Sequence, residues 1–389
     1  IPLTNSPIVR LAYRANDQGS LLALLSKGGR LLVVRIAADD VAGDHPIITE
    51  LPQPRGAVTA LALDALLENL YVGTADGQVV HVALSETESP EMRAAYTVAA
   101  SSTAVTTLGF LSGDRSLVAM SEDGAVSTWG LVRRADAPSG WKLTQIHTLR
   151  PHNAPVTAFA PSQRVKGFVT GDMKGNLFLH HATSSQTLLR LANSEFPIRA
   201  VAFAPKGDGL IALDGAGQLS LYQVQNAYPE VTLETLFAKV WYEGYDQPAH
   251  VWQSSSGSDD VEPKLGLLPL AFGTLKGTMY ALFLAVPIAI LAAMCTSQFM
   301  HQDLRAKIKP IIEVMAALPT VVLGFLAGLW LAPLLERMLP AVAGMALVLP
   351  LLVVVASFAW YLCPLSVKRH LPQGQEALLL LPIMALGIV

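Results

Sequence analysis

Polar and apolar residues alternate through most of the first 225 positions, and after Lys264 they give way to long apolar runs. Alternation with a period of two sends successive side chains to opposite faces of a strand, so the first part predicts sheet. The later runs predict something else. Gly277 to Met300 carries no charge in 24 residues, Val314 to Leu335 none in 22, Met338 to Val367 none in 30, and Ala377 to Val389 none at all. A helix needs about 20 apolar residues to cross a hydrocarbon core. Spans are therefore expected near 266–298, 311–335 and 340–364, with a truncated one at 376–389. The fold class is a multidomain membrane protein: an all-β domain over 1–235, a linker over 236–264 and an all-α transmembrane domain over 265–389.

The β part repeats. Strands of one kind read GGRLLVVRI from Gly28, DGQVVHVAL from Asp76, DGAVSTWGL from Asp123, KGNLFLHHA from Lys174 and AGQLSLYQV from Ala216. Their turn glycines, Gly29, Gly77, Gly124, Gly175 and Gly217, fall 48, 47, 51 and 42 residues apart. Asp-Gly between alternating strands marks a tight hairpin, because both central residues of a type I′ turn need positive φ. Ahead of each turn lies a second shared strand: PIVRLAY, AVTALAL, AVTTLGF, PVTAFAP and PIRAVAF. Small and β-branched residues suit these inner strands to close packing.

Period, turns and four strands per unit resemble the WD40-like β-propeller. The segment LRPHNAPVTAFAP comes closest, with His152 four residues before Val156. Trp129 and Tyr222, each five residues after its turn glycine, take the place of that family's Trp, although the Trp-Asp pair is absent. A ring left open exposes strand edges, so the remaining strands are expected upstream of Ile1. His180 and His181 are neighbours on one strand and point to opposite faces, which reads as surface histidines and not as a metal site.

Charge separates the two parts. Residues 1–260 hold 19 of the 27 Lys and Arg and 25 of the 30 Asp and Glu, whereas the remainder holds 8 basic and 5 acidic residues. No segment is basic enough to indicate a nucleic-acid partner. Cys295 and Cys363 both lie in apolar stretches, at a spacing that fits neither zinc nor a disulfide framework. Arg305, Lys307 and Lys309 follow the first span, and Lys368 and Arg369 the third, while Glu336 and Arg337 offset each other after the second. The positive-inside rule puts the basic loops in the cytoplasm and the β domain outside. An earlier helix or signal upstream of Ile1 is expected to export that domain. Trp241, Tyr242, Tyr245 and Trp252 sit either at the membrane surface or against the β domain.

Within the second span, Glu313 stands at the cytoplasmic end, where its carboxylate reaches water or pairs with Lys307 or Lys309. Pro319 removes a backbone hydrogen bond and bends the helix, as Pro287 does in the first span. Bent helices commonly border transport paths. Gly324 and Gly328, four apart, allow close helix packing. Thr274, Thr278 and Thr320 offer hydroxyls, either to a passing anion or to ordinary helix hydrogen bonds.

From about Val240 to Cys363 the chain closely resembles the permease subunit of phosphate-specific ABC importers. The resemblance rests on Gly273-Thr274, Pro287 and the block from Ile312-Glu313 through Leu318-Pro319-Thr320-Val321-Val322-Leu323-Gly324. Some proteobacterial members carry a large extracytoplasmic insertion between their first two helices, and the propeller would be that insertion. The resemblance implies a multi-pass bacterial inner-membrane protein with its propeller in the periplasm. It also implies phosphate delivered by a periplasmic binding protein, a second homologous permease, and a cytoplasmic ATPase dimer that supplies the hydrolysis. Glu313 and Pro319 would then belong to the helix lining the path. The ATPase-docking loop is expected beyond Val389.

No cofactor is expected. An enzyme reading finds no G-x-x-x-x-G-K-[ST], G-x-S-x-G or H-E-x-x-H. Two alternatives remain: a permease for sulfate or molybdate, and a membrane-anchored propeller that serves as a binding or assembly scaffold.

Overall fold

The computed structural model describes residues 7–38, 46–84, 90–99, 103–135, 137, 140–253 and 261–362. It divides into two compact units, one ending at Ala281 and the other starting at Leu282.

The alternating part folds into five successive meander sheets, or blades. Blade 1 has strands β1 to β4 (Ile8–Asn16, Gly19–Ser26, Leu31–Ala37, Ile47–Leu51) and blade 2 has β5 to β8 (Val58–Leu63, Asn69–Thr74, Gln78–Ala83, Glu91–Thr97). Blade 3 has β9 to β12 (Val105–Phe110, Ser116–Ser121, Val126–Arg133, Trp141–Leu149) and blade 4 has β13 to β16 (Val156–Pro161, Gly167–Asp172, Asn176–His181, Gln186–Ala192). Blade 5 has three described strands, β17 to β19 (Ile198–Phe203, Gly209–Asp214, Leu219–Gln223). First strands pack on first strands, β1 on β5, β5 on β9, β9 on β13 and β13 on β17, which is the arrangement of propeller blades.

Local chemistry explains the repeat. All five turn glycines have positive φ, between 79° and 86°. At Gly175 freedom of φ is not the whole constraint, since a Cβ there would lie 1.9 Å from the Ser194 carbonyl oxygen in the loop leading to blade 5. Each first strand also opens with a bulge, at Val9, Thr59, Thr106, Thr157 and Arg199. A bulge re-aims the extra side chain. Thr59 thereby donates to the Val105 carbonyl of blade 3 and Thr157 to the Ile198 carbonyl of blade 5, both at 2.6 Å. Blade 1 does the same with longer side chains: Arg10, Arg14 and Asn16 donate to the carbonyls of Thr59, Leu63 and Ala65.

Apolar cores lie between successive blades. Leu21 and Leu31 meet Leu63 and Leu70, Tyr71 and Val79 meet Val105 and Trp129, Met120 and Leu149 meet Val156 and Phe168, and Val169 and Leu177 meet Ile198 and Leu210. Burying each large aliphatic side chain contributes about 1.5–3 kcal/mol. A blade with neighbours on both sides is covered on both faces, so β10 and β14 are buried at every position. This corrects the expectation for His180 and His181, which are 0% and 2% exposed. They do point to opposite faces, but each face is packed. The outer flanks differ: Leu11 and Tyr13 of β1 and Leu221 of β19 are largely exposed.

The stretch expected as a linker is folded over its aromatic part. After α1 (Leu233–Phe237), capped by Thr232 and Thr235 in a capping box, the chain runs back over blades 3 and 4. Val240 and Tyr242 are buried, so these residues pack on the β domain and do not form a free tether.

The apolar runs are helical. Helix α2 spans Leu268–Met294 with Pro287 inside it and continues through a π turn at Cys295–Phe299. Helix α3 (Gln302–Ala316) is amphipathic. Helix α4 (Thr320–Leu326) is followed by a π turn at Ala327–Leu331, α5 (Ala332–Arg337) and α6 (Leu339–Leu362). One expected span needs correction. The stretch 311–335 is not a single bent helix: α3 ends at Ala316, and Pro319 adopts extended backbone (φ −61°, ψ 113°) as the cap of α4. Proline has no N–H to continue α3 and a φ suited to starting a new helix, so it separates the two. The fourth expected span, 376–389, lies outside the described residues.

Candidate functional site

Among the described residues two stretches, Leu268–Phe299 and Thr320–Arg337, are long and apolar enough to cross a membrane, and none of the residues in their most apolar windows is buried. A core helix of a water-soluble domain would have covered that surface. The sequence-predicted residues on these helices spend their polar groups locally. Thr274 donates to the Leu270 carbonyl and Thr278 to the Thr274 carbonyl, at 2.9 and 2.8 Å. Lys309 stands 4.0 Å from Glu313, one helical turn away, with both side chains mostly exposed. An exposed pair of that kind contributes about 0–1 kcal/mol. Lys307 has no ion pair or side-chain hydrogen bond among the described residues. Arg305 donates to the carbonyls of Ser297 and Met300, which closes the C-terminal end of the π turn after α2. Thr320 is the first residue of α4, and an added Cβ at Gly324 or Gly328 would meet nothing within 4 Å. Within the described residues these groups do not converge on one cavity.

Convergence occurs on the blades. Lys166 (3% exposed) ion-pairs with Glu243 at 2.7 Å, and Ser116 donates to the other oxygen of the same carboxylate at 2.6 Å. Glu262 accepts from the backbone N–H of Glu243 at 2.8 Å and from the Thr183 hydroxyl. Burial first, and then the neighbouring Glu243, push the Glu262 carboxyl up to about 7. Two further contacts extend the clasp: Asp246 accepts from the Arg133 N–H, and Ser184 donates to the Pro229 carbonyl. Beyond it, Gly266 donates to the Val251 carbonyl and Leu267 to the Leu236 carbonyl, just before α2 begins. The exit segment is thus fastened to blades 3 and 4 immediately upstream of the first apolar helix.

Beside this clasp lies a cleft of about 770 Å³. Gln18 of blade 1, Asn69 of blade 2, Leu117 of blade 3 and Ala182 of blade 4 all border it, and Trp241 to Tyr245 form one wall. The Trp129 indole donates to Ser127 and the Trp241 indole to the Tyr245 carbonyl, so their N–H groups are already used. Arg133 lies over the ring of Trp141, 5.6 Å from its centre.

Sequence reasoning also missed a buried histidine network in blade 4. His152 bonds Asp172 at 2.9 Å through Nδ1 and Thr170 at 2.7 Å through Nε2, and Thr170 in turn bonds His180 at 3.0 Å. Burial lowers His180 to about 3, and His81, His147 and His181 to about 4. The signal was available, since His180 falls five residues after Gly175, the spacing of Trp129 and Tyr222 from their own glycines.

The chain matches no protein-family model. A stretch of 78 residues is 30% identical to the probable ABC transporter permease protein YqgH of Bacillus subtilis (strain 168). That stretch is 20% of this chain and 25% of the relative, so the chain spans about a quarter of the length of the curated relative it matches. The likeness points to a transporter component. Among solved structures, the β-propeller domain of Myceliophteria thermophila Cps50 (Swd1) aligns at 16% identity and a TM-score of 0.44, over 54% of this chain and 68% of that one. The WD40 β-propeller domain of Doa1 aligns at 18% and 0.42, over 56% and 66%. The computationally designed Ika4 protein aligns at 20% and 0.37, over 45% and 96%.

Proposed function

We propose that the chain is a multi-pass permease subunit of an ABC importer for inorganic phosphate, with its propeller on the periplasmic side of a bacterial inner membrane. The observation that carries the reading is the 78-residue likeness to a Bacillus permease. The unburied apolar surface of 268–299 and 320–337 supports it, because such surface is stable in lipid. In this reading a binding protein delivers the anion, a second permease completes the path, and partner ATPases drive it. Glu313, Pro319 and Thr320 then stand beside the path, where a break between α3 and α4 leaves backbone groups free to face it.

The test is uptake of labelled phosphate at micromolar concentration in cells lacking this gene, with labelled sulfate as control. Loss of phosphate uptake alone, restored by the full-length gene, is the expected result. Loss of sulfate uptake alone would transfer the reading to another oxyanion. Normal uptake of both would favour a second reading, in which the propeller is a membrane-anchored scaffold. The clasp supports that second reading, since it fixes the blades to the segment leading into the first apolar helix and leaves a large cleft open beside it.

A further inference from the structure

Three features of the cleft bear on what it holds. Its size falls within the range of about 300–1,000 Å³ typical of ligand sites. Its border draws on four consecutive blades, from Gln18 to Ala182, so an extended segment lying in it would meet side chains of several blades. Of the four tryptophans in residues 1–281, three line it: Trp129, Trp141 and Trp241. Trp141 is 43% exposed and offers ring surface that solvent now covers.

Charge narrows the choice. Most of the acids along the cleft are already committed within the chain. Asp64 accepts from the backbone N–H groups of Glu68 and Asn69 and from the Asn69 side chain, Asp114 pairs with Arg14 at 3.6 Å, and Glu243 pairs with Lys166. Of the three arginines on its border, Arg35 is committed too, donating to the Leu67 and Leu84 carbonyls, whereas the other two are not. Arg93 and Arg115 are exposed and, among the described residues, make no ion pair or side-chain hydrogen bond. Glu68 is the one exposed acid among the described residues that line the cleft.

We infer that this cleft binds an acidic, extended peptide segment of a partner protein, with Arg93 and Arg115 meeting its carboxylates and Trp141 and Trp241 its apolar side chains. Arginine suits the role because its fork matches a carboxylate in two parallel hydrogen bonds. Aromatic walls supply area at little cost in side-chain freedom. An occupant would lie against Trp241 to Tyr245, the segment that Lys166 clasps, so binding and the hold on α2 share a wall. The inference stands apart from the transport reading, because the cleft is formed by the blades and exit segment alone and the test reads binding instead of uptake.

The experiment uses the full chain in nanodiscs of zwitterionic lipid and three labelled peptides of about ten residues, enough to lie extended along such a cleft. Tyr alternates with Glu in the first, with Ser in the second and with Lys in the third. Fluorescence anisotropy should show the Glu peptide binding at least tenfold more tightly than the Ser peptide, with the Lys peptide weakest. The R93E/R115E variant should lose that preference and gain one for the Lys peptide, a reversal that mere loss of folding cannot produce. W141A should weaken all binding several-fold while leaving the order of the peptides unchanged. Equal affinity for the Glu and Ser peptides, or an unchanged order in R93E/R115E, would overturn the inference. So would displacement of the Glu peptide by inorganic phosphate but not by sodium chloride of equal ionic strength, which would mark a site for a compact anion.

Discussion

Hydroxyl side chains in the blades reach far along the sequence, whereas those of α2 and the π turn after it reach only one turn back. Ser116 bonds a residue 127 positions away, Thr183 one 79 away and Thr157 one 41 away. Thr274 and Thr278 each bond the carbonyl four residues back, and Thr296 and Ser297 the carbonyl three back. The difference teaches what each part requires of its surroundings. Blades hold together by tying distant segments to one another. A helix such as α2, whose hydroxyls bond its own backbone, leaves mainly apolar surface outside, and a hydrocarbon solvent demands just that.

Acid should widen the contrast most. Histidines buried in a neutral state have folded pKa values below the unfolded value near 6.5, so their contribution is complete above that pH and is lost as pH falls below it. For His81, His147 and His181, held near 4, and His180, near 3, the loss by pH 5 should be about 1–2 kcal/mol each. Hydrogen exchange followed from pH 7 to pH 5, corrected for intrinsic rates, should show blade amides opening and α2 amides unchanged. Glu262 has the opposite sign. Its folded value, near 7, lies above the unfolded one, so the clasp should tighten as pH falls through 7 and blunt the effect locally. Uniform opening of blades and helices would break the comparison.

Lys166→Met comes next. Removing one partner of a buried pair leaves the other charge uncompensated, at a cost of about 3–5 kcal/mol. Exchange should accelerate in 229–253 and 261–267 more than in blades 1 and 2, and a change spread evenly over the blades would deny the clasp its separate existence. Gly175→Ala against Gly217→Ala sharpens the picture within the blades. Both glycines have positive φ, but only the first presses on a neighbouring loop, and nothing lies within 4 Å of a Cβ at Gly217. The Gly217 change should cost about 1–2 kcal/mol and the Gly175 change distinctly more, read from denaturation midpoints. Smallest of all is Thr274→Val with Thr278→Val, expected to alter stability by less than about 0.5 kcal/mol, since each hydroxyl bonds a carbonyl that already has a helical partner. A large loss of uptake in that double variant, with stability intact, would mean that these hydroxyls meet cargo.

Features that depend on neighbours in sequence were legible before the structure. The five turn glycines, the five first strands and the apolar helices all announce themselves through local pattern, because φ sign, strand alternation and helix length are local demands. Burial in the blades was misjudged at His180 and His181, since alternation records one covered face and a blade between two others has two. At Pro319 the residue signals a defect in the helix, but its type alone does not distinguish a bend from a break. The clasp was the least legible. Lys166 lies in blade 4 and Glu243 and Glu262 beyond the repeat, and what makes them a unit is a chain reversal after blade 5 that no spacing encodes.

That reversal sets a route for force. The chain leaves blade 5, yet the fastenings ahead of α2 grip blades 3 and 4, at Ser116, Lys166 and Thr183. A pull on the first apolar helix would therefore load the middle of the blade series and bypass its last member. Blade 5 could slacken or change its neighbours without slackening the helix, much as a rope cleated amidships holds whatever happens at the stern.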